Sequence, residues 1–256
     1  MSIVSQQDAE YISSCLKQFK LIDIREQYQD IAVEAETEGM SHIDFLKRLL
    51  ETERHGKAER RQRNLLHRAN FESLKYIEDI DYTYNDSIDK DKVEYLGKLD
   101  FIDKKENVII IGPPGVGKTM IATGIGVRAC LAGRKVLFCN AKDMLDKLYD
   151  DMHMGALKNS LKELKKISLL IIDELSYINM DKERESLFFQ IIRQRYEKGS
   201  LIITTNLPIG RWNELFTGQL AATAILDRLM HHCHILSISG NSYRVKGPDK
   251  FKKGCV

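Results

Sequence analysis

The sequence predicts an α/β fold, a five-stranded parallel sheet flanked by helices and preceded by a small all-helical region. Three observations predict it. Between residues 107 and 246, short apolar runs alternate with segments of helical period, the pattern of strands joined by crossover helices. Residues 1–70 carry helical periodicity and no strand pattern. At the head of the alternating region, Gly112-Pro113-Pro114-Gly115-Val116-Gly117-Lys118-Thr119 stands between an apolar strand and a helix, the setting of a phosphate-binding loop.

In chain order, the helical region opens with Tyr11, Cys15, Phe19 and Ile22 at helical spacing. A second helix is expected from Ser41, where Ser41-His42-Ile43-Asp44 offers a capping hydroxyl ahead of the apolar Phe45, Leu46, Leu49 and Leu50. Its pattern runs on through Glu59 to His67. Residues 71–106, locally acidic through Asp79, Asp81, Asp86 and Asp89, read as a connector. Five runs then read as strands, at 108–111, 135–139, 168–172, 201–205 and 235–238. The helix after the glycine-rich loop is expected over 120–132, ending at Gly133. Residues 107–246 make one domain on this reading, and 247–256, rich in Lys and Gly, a frayed tail.

Composition narrows the class. With 43% hydrophobic and 30% charged residues and a net charge of +2, the chain reads as an ordinary soluble globular protein. No run of eighteen apolar residues predicts a membrane span, and the opening residues lack the basic and apolar stretches of a secretory signal. Cys15, Cys130, Cys139, Cys233 and Cys255 form no C-x-x-C pair and read as reduced thiols of a cytoplasmic protein.

The motifs carry the chemistry. Gly112, Gly115 and Gly117 let the backbone turn its N–H groups toward phosphate oxygens, and the helix behind them points its positive end at the same anion. The expected nucleotide contacts are Gly112, Pro113, Pro114, Gly115, Val116, Gly117, Lys118, Thr119 and Met120. Lys118 would reach the β- and γ-phosphates, and the Thr119 hydroxyl would ligate Mg²⁺. The apolar run Leu169-Leu170-Ile171-Ile172 ends in Asp173-Glu174. Asp173 suits the Mg²⁺ shell, and Glu174 suits activation of an attacking water. Leu201-Ile202-Ile203-Thr204-Thr205 ends in Asn206, at the edge of a parallel sheet where ligands bind, so Asn206 is expected beside the γ-phosphate.

In that order these motifs, followed by Leu226-Asp227-Arg228-Leu229, resemble an AAA+ ATPase. More narrowly, the chain resembles the IstB group of insertion-sequence helper ATPases, relatives of the DnaC-type helicase loaders. The stretches that carry this are Gly112–Thr119, Asp173–Tyr177, Arg195–Ser200, Thr204–Asn206, Arg211-Trp212, Ala224–Leu229 and Ser242-Tyr243-Arg244. The resemblance implies an AAA+ P-loop core, ATP and Mg²⁺ as cofactors, and ATP hydrolysis. It implies that Asn206 is a polar sensor, that Arg228 reaches the site of a neighbouring subunit, and that Arg244 contacts phosphate in its own subunit. It implies a homo-oligomer assembled on double-stranded DNA that stimulates a transposase; the alternative is a loader of a replicative helicase. Against the pattern of many AAA+ proteins, no full C-terminal helical lid is expected after Arg244.

From Lys47 to Lys75, nine Lys and Arg residues face four Glu, an excess of +5 in a chain of net +2. Arg54, Lys57, Arg61 and Arg68 share one helix face, and Arg60 and Arg63 lie beside them. Such a stripe is the footprint of phosphate-backbone contact, or else a solvated face with i,i+4 pairs such as Glu53 with Lys57. The resemblance favours DNA, largely without sequence preference. His231-His232-Cys233-His234 reads as ordinary structure, because no second ligand pair stands at zinc-like spacing elsewhere.

Overall fold

The computed structural model describes residues 5–178 and 180–242. Arg244, Cys255 and the expected tail at 247–256 lie outside the described residues. The chain divides into two compact units, Met1–Asn64 and Leu65–Val256.

The first unit is helical. Helix α1 spans Gln6–Gln18, α2 spans Ile22–Glu38, and α3 spans His42–Arg68, crossing the boundary at residue 64. The spacing from Tyr11 to Ile22 suggested one continuous helix, but Lys20 takes a left-handed conformation (φ 58°) and separates α1 from α2. Ile24, Tyr28 and Ile31 form the buried face of α2. At the start of α3, Ser41 Oγ accepts from the Asp44 N–H at 3.2 Å and donates to the Asp44 carboxylate at 2.6 Å. Glu53 is the buried residue of α3. Its carboxylate accepts from the N–H groups of Asp23 (2.9 Å) and Ile24 (3.2 Å), filling two donors that the first turn of α2 leaves open. Gly56 allows α2 this close to α3, since a Cβ there would stand 1.9 Å from Asp23 Oδ1.

The second unit holds a five-stranded parallel sheet in the order β2-β3-β4-β1-β5. The strands are β1 (Asn107–Ile111), β2 (Val136–Asn140), β3 (Leu169–Asp173), β4 (Ser200–Thr205) and β5 (Cys233–Ser237). Their buried residues alternate between two cores. Val108, Ile110, Leu169 and Ile171 face a core shared with α6 (Lys118–Leu131). Ile109, Leu170, Ile172 and Ile203 face a core shared with α7 (Ala141–His153), α9 (Lys182–Arg195) and α10 (Gln219–Met230). Apolar residues on both faces are what a parallel sheet covered by helices requires.

The segment read as a connector is a packed part of this unit. It forms α4 (Lys90–Gly97) and the short α5 (Asp100–Asp103), and buries Ile77, Val93, Leu96, Phe101 and Ile102 in the α6 core. Its aspartates are turn-formers: the Asp89 carboxylate caps α4 by accepting from the Lys92 N–H at 2.9 Å.

At the edge where the strands begin, Arg195 ties three elements together. Its guanidinium donates to the carbonyls of Leu164 (3.0 Å) at the end of α8 (Leu157–Lys165), of Ile167 and Ser168 (both 3.2 Å), and of Ser200 (2.8 Å) at the start of β4. Burial pushes the guanidinium pKa down to about 10. Arg195→Met removes a buried donor shared by four carbonyls, and the expected loss is about 3 kcal/mol of stability, read as a lower urea midpoint.

Candidate active site

Three strand ends and one helix start build a cleft of about 620 Å³ in the second unit. The sheet register delivers them together. Ile111, the last residue of β1, pairs with Thr205 of β4, so the phosphate loop and Asn206 leave the sheet side by side. Asn140 at the end of β2 pairs with Asp173 at the end of β3. The loop 112–117 then carries the chain into α6, whose N-terminus opens on the cleft. Gly115 has φ +80°, and a Cβ there would meet Ser242 Oγ at 2.0 Å, so the segment after β5 lies directly against the loop.

Lys118 is buried, and its ammonium donates to Gly112 O (2.7 Å), Pro113 O (2.8 Å) and Asn206 Oδ1 (2.6 Å). Thr119 Oγ1 donates to the Asp173 carboxylate, 3.1 and 3.0 Å from its two oxygens. A hydroxyl and a carboxylate this close form the hard oxygen donor set that suits Mg²⁺. The neighbouring ammonium, loop N–H groups and helix N-terminus suit the phosphates of a nucleotide. The cleft volume lies in the range of small-ligand sites.

Glu174 adopts a left-handed backbone, φ 60° and ψ 44°. A non-glycine residue there costs about 1 kcal/mol or more and persists only where neighbours fix it. Here Thr204 fixes it. Its buried hydroxyl accepts from the Glu174 N–H at 2.9 Å and donates to Asp173 Oδ1. Asn140 Nδ2 donates to Glu174 Oε2 at 3.3 Å, and Ser176 Oγ accepts from the Asn206 N–H at 3.1 Å. These hydroxyl and amide ties between strand ends carry no motif of their own, and sequence reasoning missed them. Tyr84, Asn85 and Ile88 of the former connector also line the cleft. Asn85 and Ser87 donate to Ser239 O at 2.9 and 2.7 Å, and the Tyr84 hydroxyl donates to Ser242 O at 3.2 Å.

The match to the family described as IstB-like ATP binding protein extends over residues 14–250. The chain belongs to that family. Among curated IstB-like relatives, the Insertion sequence IS21 putative ATP-binding protein of Pseudomonas aeruginosa is 37% identical, over 94% of this chain and 90% of its own length. The Insertion sequence IS5376 putative ATP-binding protein of Geobacillus stearothermophilus is 38% identical, over 86% of this chain and 88% of its own. The solved structure of DnaI superposes with a TM-score of 0.55 at 21% identity, over 64% of this chain and 90% of that one. The DnaC helicase loader gives 0.50 at 21%, over 57% and 86%. At such identities these two establish the fold, the AAA+ P-loop architecture, which the IstB-like chain shares.

Of the other expected site residues, Arg228 does not line the cleft of its own chain. It donates to Ala224 O at 2.7 Å within α10, and its guanidinium lies 5.2 Å from the centre of the Phe189 ring. The basic residues of α3 divide into two groups. Arg54, Arg61, Arg63 and Arg68 are exposed. Arg60 departs from expectation. It is half-buried, and its guanidinium bonds both Asp23 oxygens at 2.6 Å and Glu53 at 3.3 Å, which engages it in holding α2 to α3. Lys57 stands 3.7 Å from Glu53, the i,i+4 pair that the sequence allowed. Among the described residues no helix is long and apolar enough to cross a membrane.

Proposed function

We propose that this protein hydrolyses ATP, assembles through ATP into an oligomer on double-stranded DNA, and stimulates a partner transposase. The observation that carries the reading is that Lys118, Thr119, Glu174 and Asn206 line one cleft, with the Asp173 carboxylate hydrogen-bonded to Thr119. Family membership supports the insertion-sequence context, since the curated relatives are insertion-sequence ATP-binding proteins.

The loop N–H groups and Lys118 hold the β- and γ-phosphates, with Pro113, Pro114, Val116 and Met120 shaping the loop around them. Mg²⁺, held by Thr119 and Asp173, would supply neutralisation of phosphate charge. Glu174 takes a proton from the attacking water, and the Thr204 and Asn140 hydrogen bonds aim it. Asn206 couples Lys118 to the end of β4, where it can orient the water or the γ-phosphate. Arg228 lies outside its own cleft, which supports a role in completing the site of a neighbouring subunit. The exposed Arg54, Arg61, Arg63 and Arg68 would follow the DNA backbone, a contact set by phosphate spacing and not by base sequence.

The test is sedimentation of the protein on a duplex of arbitrary sequence, with ATP, ADP and no nucleotide, across a salt series. ATP-dependent assembly on DNA is expected. Arg54→Ala should flatten the logarithmic salt slope by about 1, while Arg228→Ala should bind nucleotide normally but hydrolyse poorly in the assembly. Assembly indifferent to ATP would sink the reading. Recovery of a replicative helicase in place of a transposase would favour the loader, for which the present support is fold likeness alone.

A further inference from the structure

The four residues His231-His232-Cys233-His234 read as ordinary structure in the sequence because no further ligand stands near them there. The fold supplies one. Glu197 lies in the turn between α9 and β4, and His231 and His232 lie in the turn between α10 and β5. One ligand atom from each of these three exposed side chains falls within 4.8 Å of the others. The two imidazole rings pack edge to face with centroids 4.2 Å apart. Tyr196 places its hydroxyl 3.2 Å from His231 Nδ1.

We propose that Glu197, His231 and His232 form a binding site for a divalent d-block cation of the Zn²⁺ class. Two imidazoles and one carboxylate are the mixed nitrogen and oxygen set that such an ion takes, with solvent completing the shell. The Tyr196 hydroxyl beside His231 Nδ1 is the kind of outer-shell contact that orients a ligand ring. The site lies at the edge of the sheet where β4 and β5 begin, whereas the nucleotide cleft lies where β1, β3 and β4 end. It also differs in chemistry: Thr119, which lines the cleft, and the Asp173 carboxylate bonded to it are hard oxygen donors, and no histidine lines the cleft. Cys233 stays out of the set: it is the first residue of β5, and the clustered ligand atoms are those of Glu197, His231 and His232. The bound ion would join the α9–β4 turn to the end of the helix that carries Arg228.

The test uses the untagged full chain with Mg²⁺ in excess, titrated with Zn²⁺ by calorimetry and with Co²⁺ by visible absorption. One ion per chain is expected, with Co²⁺ bands of nitrogen and oxygen ligation and no thiolate charge-transfer band. His231→Ala, His232→Ala and Glu197→Gln should each weaken binding by at least roughly tenfold, and Tyr196→Phe by roughly tenfold. Cys233→Ser should leave it unchanged. Because Glu197, His231 and His232 are exposed, these variants keep the fold, and unchanged nucleotide affinity checks it. Absence of binding, binding that survives both histidine substitutions, or binding lost with Cys233→Ser overturns the proposal.

Discussion

Glu174→Gln is expected to slow ATP turnover by roughly 10²–10⁴-fold, the usual share of a general base, while leaving nucleotide affinity close to that of the parent. The amide keeps the size of the side chain, and the Thr204 hydroxyl still accepts the backbone N–H that sets the left-handed turn. What disappears is the carboxylate that, in the proposed function, takes the water's proton. Single-turnover hydrolysis and equilibrium nucleotide binding, measured on the same preparation, separate the two quantities. Turnover that survives the substitution would remove Glu174 from the chemistry. Loss of affinity equal to the loss of turnover would instead mean that the carboxylate helps to hold the cleft.

Lys118→Ala should act on the other quantity. The ammonium is buried among loop carbonyls and the Asn206 oxygen, and in the proposed function its charge-assisted bonds to phosphate would replace water contacts that it has already given up. Its removal is expected to weaken ATP binding by about 3 kcal/mol, roughly two orders of magnitude in Kd. Titration with a fluorescent ATP analogue reads this directly. Lys118→Arg separates charge from shape, since a guanidinium keeps the charge but does not fit a pocket made for a compact ammonium. Normal affinity in the alanine variant would sink the phosphate-loop assignment.

Much of the fold was legible because the governing pattern is local. The strands announce themselves as β-branched runs, and each lies within two residues of its expected start. The glycine-rich loop was legible for the same reason: its residue types answer a single stretch of backbone. Helix α2 was not, because Ile24, Tyr28 and Ile31 are spread among charged residues and the break at Lys20 leaves no Gly or Pro as a marker. The connector hid its apolar residues, such as Val93 and Phe101, among aspartates that serve as turn and cap formers. Asp173, Glu174 and Asn206 stand out in the sequence because each closes or follows an apolar strand, and the structure brings Asp173 to Thr119 and Asn206 to Lys118. Thr204 and Asn140 do not stand out, because their partners are fixed only by which strands are neighbours, and strand order is a tertiary property. Arg60 misled for the same reason: it carries the charge of its neighbours, and only the packing of α2 on α3 turns it toward Asp23.

The Arg195 clamp has a practical corollary. Its acceptors are four backbone carbonyls, so the interaction is charge to dipole inside the protein and offers dissolved ions no exposed pair to screen. Contacts between exposed arginines and DNA phosphates weaken steeply as salt rises. A concentrated salt wash should therefore strip nucleic acid from the purified protein while the nucleotide-binding unit stays folded, which gives a nucleic-acid-free starting point for metal and nucleotide titrations alike.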